Sequence, residues 1–193
     1  MLKFTLDTNC IIDIDEGGSR AAAIRKLADA HALGTADVAI VAVTASERQP
    51  DKSYLTDYRL FQNRIHDLGL GHLGVVYGLF YFDICFFEAC LWGDEEDIEL
   101  EKLIHNTLFP TIPFLWTDFA KERNLTPQSI IENEGKQWRN AWCDRQMFWA
   151  HQKSRRDVFV TSDKNYSRRL TKSPQFSAAR VMSPDEAVAL ING

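Results

Sequence analysis

The sequence predicts an α/β fold built on a mainly parallel sheet, and three observations carry that prediction. Short, nearly unbroken apolar runs occur at residues 3–6, 36–43 and 157–161, too short for helices and too continuous for strands with one wet face. Segments with helical spacing separate them. The chain then closes on a short strand, Arg180-Val181-Met182, followed by Ser183-Pro184-Asp185-Glu186, a capping box with proline at the first helical position. At 193 residues, 45% of them hydrophobic, there is enough apolar mass for a full core.

The first strand runs directly into Asp7-Thr8-Asn9 and then Cys10-Ile11-Ile12. Asp7 therefore stands at a strand's carboxyl end, the edge where open parallel sheets bind ligands. There it either caps the next helix or holds something positive. Residues 19–32 are Ala-rich, with Ile24, Leu27 and Ala28 at helical spacing and Gly34 as a stop. The second strand, 36–43, ends in Thr44-Ala45-Ser46-Glu47, which reads both as a capping box and as the delivery of a functional Glu47. Further on, 54–68 reads as a helix, 75–82 as a strand, and 95–108 as an amphipathic helix with Ile98, Leu100, Leu103 and Ile104 on its apolar side. Thr126-Pro127 opens another helix. There are no repeats or low-complexity tracts, so the chain reads as one domain, with a core at about 1–48 and 141–193 and a long, largely helical insertion at about 49–140. Residues 136–156 read as one aromatic-rich helix. Asp144 lies inside it with no Lys or Arg at i±3 or i±4, so a cation from elsewhere in the fold is expected to meet it. The third strand, 157–161, delivers Ser162-Asp163-Lys164-Asn165-Tyr166, where Asp163 also suits a helix cap.

The net charge of −5 argues against indiscriminate coating of nucleic acid, but the charge is unevenly spread. Residues 83–101 hold eight acids and no Lys or Arg, whereas 145–172 hold eight bases and two acids. Both runs read as solvated helix faces, and the basic one equally as a phosphate track. Residues 73–92 are greasy, but Asp83 and Glu88 fall inside them, which favours a buried strand and helix over a membrane span. Cys10, Cys85, Cys90 and Cys143 form no Cys-x-x-Cys pair, the beginning of the chain lacks signal-peptide features, and the five histidines show no zinc-like spacing. Buried thiols in a reducing cytoplasm are expected, with no membrane partner.

In this order, strand-Asp7-Thr8-Asn9, strand-Thr44-x-x-Glu47, helix-Asp144 and strand-Thr161-Ser162-Asp163-x-Asn165-Tyr166 resemble the PIN domain. That family of metal-dependent nucleases includes the ribonuclease toxins of bacterial toxin–antitoxin pairs. The resemblance covers about 1–48 and 141–192, and the insertion makes this chain larger than the compact toxins. It implies a three-layer α/β/α sandwich, Mg²⁺ or Mn²⁺ as cofactor, and hydrolysis of single-stranded RNA to a 5′-phosphate and a 3′-hydroxyl. Asp7 and Asp163 are then core metal ligands, and Glu47 and Asp144 are direct or water-mediated ligands that orient the attacking water. Thr8, Asn9, Ser162 and Asn165 support them, Asn165 through its side-chain carbonyl where Asp is common. Four convergent carboxylates repel one another unless protons or a cation intervene, and an oxygen-only donor set suits Mg²⁺ or Mn²⁺ rather than zinc. Arg145, Lys164, Arg168 and Arg169 flank two of these acids and would guide RNA phosphates, with Trp149 or Tyr166 stacking bases. The resemblance also admits a toxin role, an antitoxin protein and a homodimer. The alternative is a catalytically silent PIN-like module whose acids survive as caps. A haloacid-dehalogenase-type phosphatase would want Asp and Thr where Asn9 and Ile11 stand.

Overall fold

The computed structural model describes residues 1–47, 49 and 53–191. In chain order its elements are β1 (Lys3–Leu6), α1 (Thr8–Asp15), α2 (Ala21–Ala32), β2 (Asp37–Val41), α3 (Tyr58–Asp67), β3 (Gly74–Val76), β4 (Gly78–Leu79), β5 (Cys90–Leu91), α4 (Glu95–Leu108), α5 (Trp116–Glu122), α6 (Lys136–Lys153), β6 (Val158–Val160), α7 (Lys164–Lys172), β7 (Val181–Met182) and α8 (Pro184–Ala189). Two compact units form, one from Met1–Val41, Arg59–Val76 and His151–Gly193, the other from Ala42–Tyr58 and Tyr77–Ala150.

The first unit is α/β. Its sheet has the order β3-β2-β1-β6-β7, and every pairing is parallel. The apolar runs explain this: Phe4, Leu6, Val38, Val158 and Val160 are fully buried, as expected of strands covered on both faces. Thr5, pointing the other way from its neighbours, is buried too and shares a 2.9 Å hydrogen bond with His151 Nδ1. From β1 the chain leaves through α1 and α2 to β2, and from β6 it leaves through α7 to β7 on the other side of the sheet. Right-handed crossovers running in opposite directions put α2 and α7 on opposite faces, which gives the α/β/α layering. α2 packs on α1 and α8, and α8 packs on β6 and β7. Gly34, with φ +70°, ends α2 in the left-handed conformation that glycine adopts without penalty. Arg156 ties down the amino end of the sheet, donating from Nη2 to Phe4 O at 2.9 Å, Asp37 O at 2.7 Å and Asp37 Oδ1 at 2.9 Å.

Strand β3 joins this unit although the sequence places it inside the insertion, because residues 74–76 pair in register with Ala39, Ile40 and Val41. The stretch read as one strand at 75–82 is instead split between β3 and β4. β4 pairs in parallel with β5. No helix among the described residues is long and apolar enough to cross a membrane.

The second unit carries α4, α5 and most of α6. α4 begins and ends where its periodicity predicts, with Asp94 and Asp97 forming a reciprocal capping box. Its buried face is only partly the expected one: Ile104 is buried as predicted, but polar residues flank it. Asp97, Glu101, Ile104, His105 and Leu108 are inside, while Ile98 and Leu103 are more than a third exposed. The reason lies on α6. Arg145, only 1% exposed, donates from Nε to Glu101 Oε1 at 2.7 Å and from Nη1 to His105 Nδ1 at 2.9 Å and Phe114 O at 3.1 Å. Gln146 donates to the same Glu101 oxygen, and Trp149 Nε1 to Asp97 O. A buried guanidinium needs this set of acceptors, so the polar side of α4 turns inward. Burial holds His105 down at about 4; the neutral ring accepts from Arg145 at Nδ1 and donates from Nε2 to Ile112 O at 2.6 Å.

Glu101→Ala strands the Arg145 charge and is expected to cost about 3–5 kcal/mol in urea unfolding, against about 0.5 kcal/mol or less for the neighbouring Lys102→Ala. His105 and His151 are both held at about 4, below the ordinary histidine value of 6.5. Between those limits the unfolded chain binds protons that the folded one refuses, so the urea midpoint is expected to fall as pH drops from about 6.5 towards 4. A midpoint that rose on acidification would contradict this.

Candidate metal centre

The chain turns to opposite sides after β1 and β6, neighbours in the sheet, and so leaves a crevice at their carboxyl ends. Asp7 and Asp163 stand there. Asp7 is 2% exposed and follows β1 without a break, its amide donating to Val160 O at 2.9 Å. Its Oδ1 accepts from Thr8 N at 2.8 Å, and its Oδ2 accepts from Asn9 Nδ2 at 3.0 Å and from Thr161 Oγ1 at 2.6 Å. The Thr161 hydroxyl in turn accepts from Asp163 N at 3.0 Å, so one side chain connects the two strand ends. Asp163 is half-buried and caps α7, Oδ1 accepting from Asn165 N at 2.7 Å and Tyr166 N at 3.3 Å. Both carboxylates are thus helix caps, and both face the crevice edge.

The electrostatics are those of crowded carboxylates. Burial, first of all, raises the Asp7 pKa; the hydrogen bonds from Thr161, Asn9 and Thr8 pull it back, and the Asp163 charge pushes it up again. The Cys10 thiol, buried one turn along α1, is pushed well above its usual value by burial and then by the charges of Asp7 and Asp13. Asp13 is an acid the sequence reading passed over. It accepts from Ser162 Oγ at 2.9 Å, and its signal was present: Asn9 and Asp13 are four apart, on one face of the helix that Asp7 opens.

Glu47 and Asp144 belong to the other unit. The expected helix start at Thr44 is a 3₁₀ turn, Ala42–Ser46, and Glu47 follows it half-buried, its amide on Thr44 O at 3.3 Å. Asp144 is half-buried on α6. The two acids share a neighbourhood, since after burial itself their charges are the other main influences raising the Cys143 thiol, with Arg139 opposing them. Arg139 fixes the turn before Glu47: Nε and Nη2 both donate to Ser46 O, at 3.0 and 2.8 Å, and the guanidinium lies 3.5 Å from the Tyr54 ring centre. Nothing in the sequence marks Arg139, because its partner is a backbone carbonyl.

The basic run needs correction. Arg145 is enclosed with Glu101 and cannot reach a phosphate. Trp149 is fully buried, and Tyr166 is 4% exposed with its ring stacked on Phe159, so neither offers a face to a base. Lys164, Arg168 and Arg169 are exposed on α7, as a phosphate track requires. Lys164 and Arg168 join Arg20, Ser162 and Asp163 in lining a cavity of about 480 Å³ in the first unit. Asn165 is exposed, and its side-chain carbonyl already accepts from Arg168 Nη2 at 2.9 Å.

Among the described residues, no three His, Cys, Asp or Glu side chains are grouped so that they could hold a metal ion by themselves. The crevice brings together two carboxylates whose charges work against each other, the type of oxygen donor that a hard divalent cation takes; Asn9 faces Asp7 with its amide nitrogen, Thr161 donates its hydroxyl to Asp7, and Ser162 donates to Asp13. Thr161→Val is expected to lower stability by about 1–3 kcal/mol in urea unfolding, because it removes a donor from Asp7 and an acceptor from Asp163 N, while Thr161→Ser retains most of it. No protein-family model matches the sequence, and no curated protein matches it either.

Proposed function

We propose that this protein is a Mg²⁺- or Mn²⁺-dependent endoribonuclease acting on single-stranded RNA. The observation that supports it most is the pairing of Asp7 and Asp163 at the carboxyl ends of neighbouring parallel strands, joined through the Thr161 hydroxyl. Structural caps alone do not require two acids at one crevice, whereas a cation does. In this reading Asp7 and Asp163 would hold the ion. When bound, the ion supplies neutralisation of phosphate charge and a lowered pKa for water. Thr161 and Asn9 keep Asp7 aimed, and Arg20, Lys164 and Arg168 draw the phosphates of the strand into their cavity. Water adds to phosphorus, the P–O3′ bond breaks, and the leaving oxygen takes a proton, which leaves a 5′-phosphate and a 3′-hydroxyl.

A second reading is favoured by the same hydrogen bonds. Asp7 and Asp163 each do complete work as helix caps, which suits a silent PIN-like module used for binding. One experiment separates the two. Cleavage of labelled single-stranded RNA is measured with Mn²⁺ for the wild type, for Asp7→Asn and for Asp163→Asn, with a chelator arm and a Mn²⁺ thermal titration alongside. The nuclease reading expects cleavage that falls at least about a hundredfold in both variants and with chelator. It also expects Mn²⁺ at a hundred times its Kd to stabilise the wild type by about 2.7 kcal/mol, with that response lost in Asp7→Asn. No Mn²⁺ response and no cleavage would leave the binding module; cleavage that persists in the variants and in chelator would sink the metal-nuclease reading.

A further inference from the structure

The second unit displays an aromatic cluster that its own core does not use. Phe82, Phe87 and Trp92 are 71%, 71% and 70% exposed. They gather around half-buried Phe80, with ring centres 4.8 Å from Phe82, 4.8 Å from Trp92 and 6.1 Å from Phe87. The support beneath is hydrogen-bonded and anchored in the core. Phe80 N donates to Leu91 O at 2.8 Å beside the β4–β5 pair, Ile84 and Ala89 are buried as anchors, and Ser46 Oγ donates to Ile84 O at 3.0 Å. Cys85 Sγ accepts from Tyr81 N at 3.2 Å and donates to Leu79 O at 3.3 Å. Asp83 turns the chain at φ +64°, a left-handed conformation that Asp tolerates better than most residues. Contiguous exposed rings held this way mark an interaction surface rather than scattered surface apolarity.

The charge around the rings selects the occupant. Asp83 adjoins Phe82, Glu88 adjoins Phe87, and Asp94, Glu95 and Glu96 follow Trp92 within four positions; all five acids are exposed, and no Lys or Arg lies between 83 and 101. A second copy meeting this face symmetrically would oppose acid to acid, and an RNA strand or an anionic membrane would be repelled. Arg and Lys alone among side chains satisfy both features, pairing with carboxylates and lying over aromatic faces. We propose that Phe80, Phe82, Phe87 and Trp92, with their acidic rim, dock a cationic amphipathic segment of a partner protein, its apolar side chains on the rings and its Arg or Lys on the rim. This assignment does not rest on the nuclease reading.

The test uses the full chain and a fluorescein-labelled synthetic helix with Lys and Arg on one face and Leu on the other, read by anisotropy. Binding is expected, weakened by added salt. It should weaken at least about tenfold in Phe87→Ser/Trp92→Ser, whose unfolding midpoint stays at the wild-type value because the replaced side chains are exposed, and in Glu95→Lys/Glu96→Lys, which stays folded with a lowered midpoint because Lys in the first turn of α4 opposes the helix dipole. Four results would overturn the proposal: no binding of the cationic helix; equal binding of a control helix with Glu in place of every Lys and Arg; unchanged affinity in Phe87→Ser/Trp92→Ser; or, in that variant, loss of a wild-type self-association or of binding to phosphatidylcholine vesicles.

Discussion

The hydroxyl of Thr161 is a small group with a large structural consequence. It gives its proton to Asp7 and takes one from the Asp163 amide, so the ends of β1 and β6 are fixed to each other by a side chain beyond the last ladder hydrogen bonds. A parallel sheet covered on both faces has nowhere polar to end except its strand tips. Asp7 is only 2% exposed, and without three donors a carboxylate at that depth would be untenable as an anion. The same hydrogen bonds that pull the Asp7 pKa back against burial also set the direction of its second oxygen. Stability and aim are therefore one arrangement here, whichever use the crevice serves.

Much of the fold is legible because it depends on local pattern. The runs around Phe4, Val38 and Val158 read as buried strands and are such, the periodicity of residues 95–108 gives the bounds of α4, and the capping box at Ser183 starts a helix where it should. What could not be read is what tertiary partners decide. The apolar side of α4 was assigned by hydrophobicity, yet Arg145 outranks Ile98 and Leu103 for that interior, since a buried charge has few acceptable neighbours and an exposed leucine costs little. The same fact removes Arg145 from any phosphate track. Charge runs along a sequence carry no information about which members face inward.

The candidate site divides in the same way. Asp7 and Asp163 were legible because a strand that ends in an acid before a helix start is a local signal. Arg139 was not, since it acts on the Ser46 carbonyl 93 positions away; the Asn9 spacing marked the helix face of Asp13 but not its partner, a serine 149 positions away. Glu47 lies between these cases. Its position after β2 was readable, but Thr44-Ala45-Ser46 winds into a tighter turn than the capping pattern implied, with Arg139 holding its last carbonyl.

The distribution of indoles has a spectroscopic consequence. Trp116, Trp138, Trp142 and Trp149 are between 0% and 6% exposed, and Trp92 is 70% exposed. Emission from the native chain is thus a blue-shifted contribution from four enclosed rings plus a red-shifted one from a single wet ring. A neutral quencher such as acrylamide reaches that ring freely. Iodide, approaching past Asp94, Glu95 and Glu96, is held off by like charge at low salt, so the ratio of the two quenching constants reports the local potential directly.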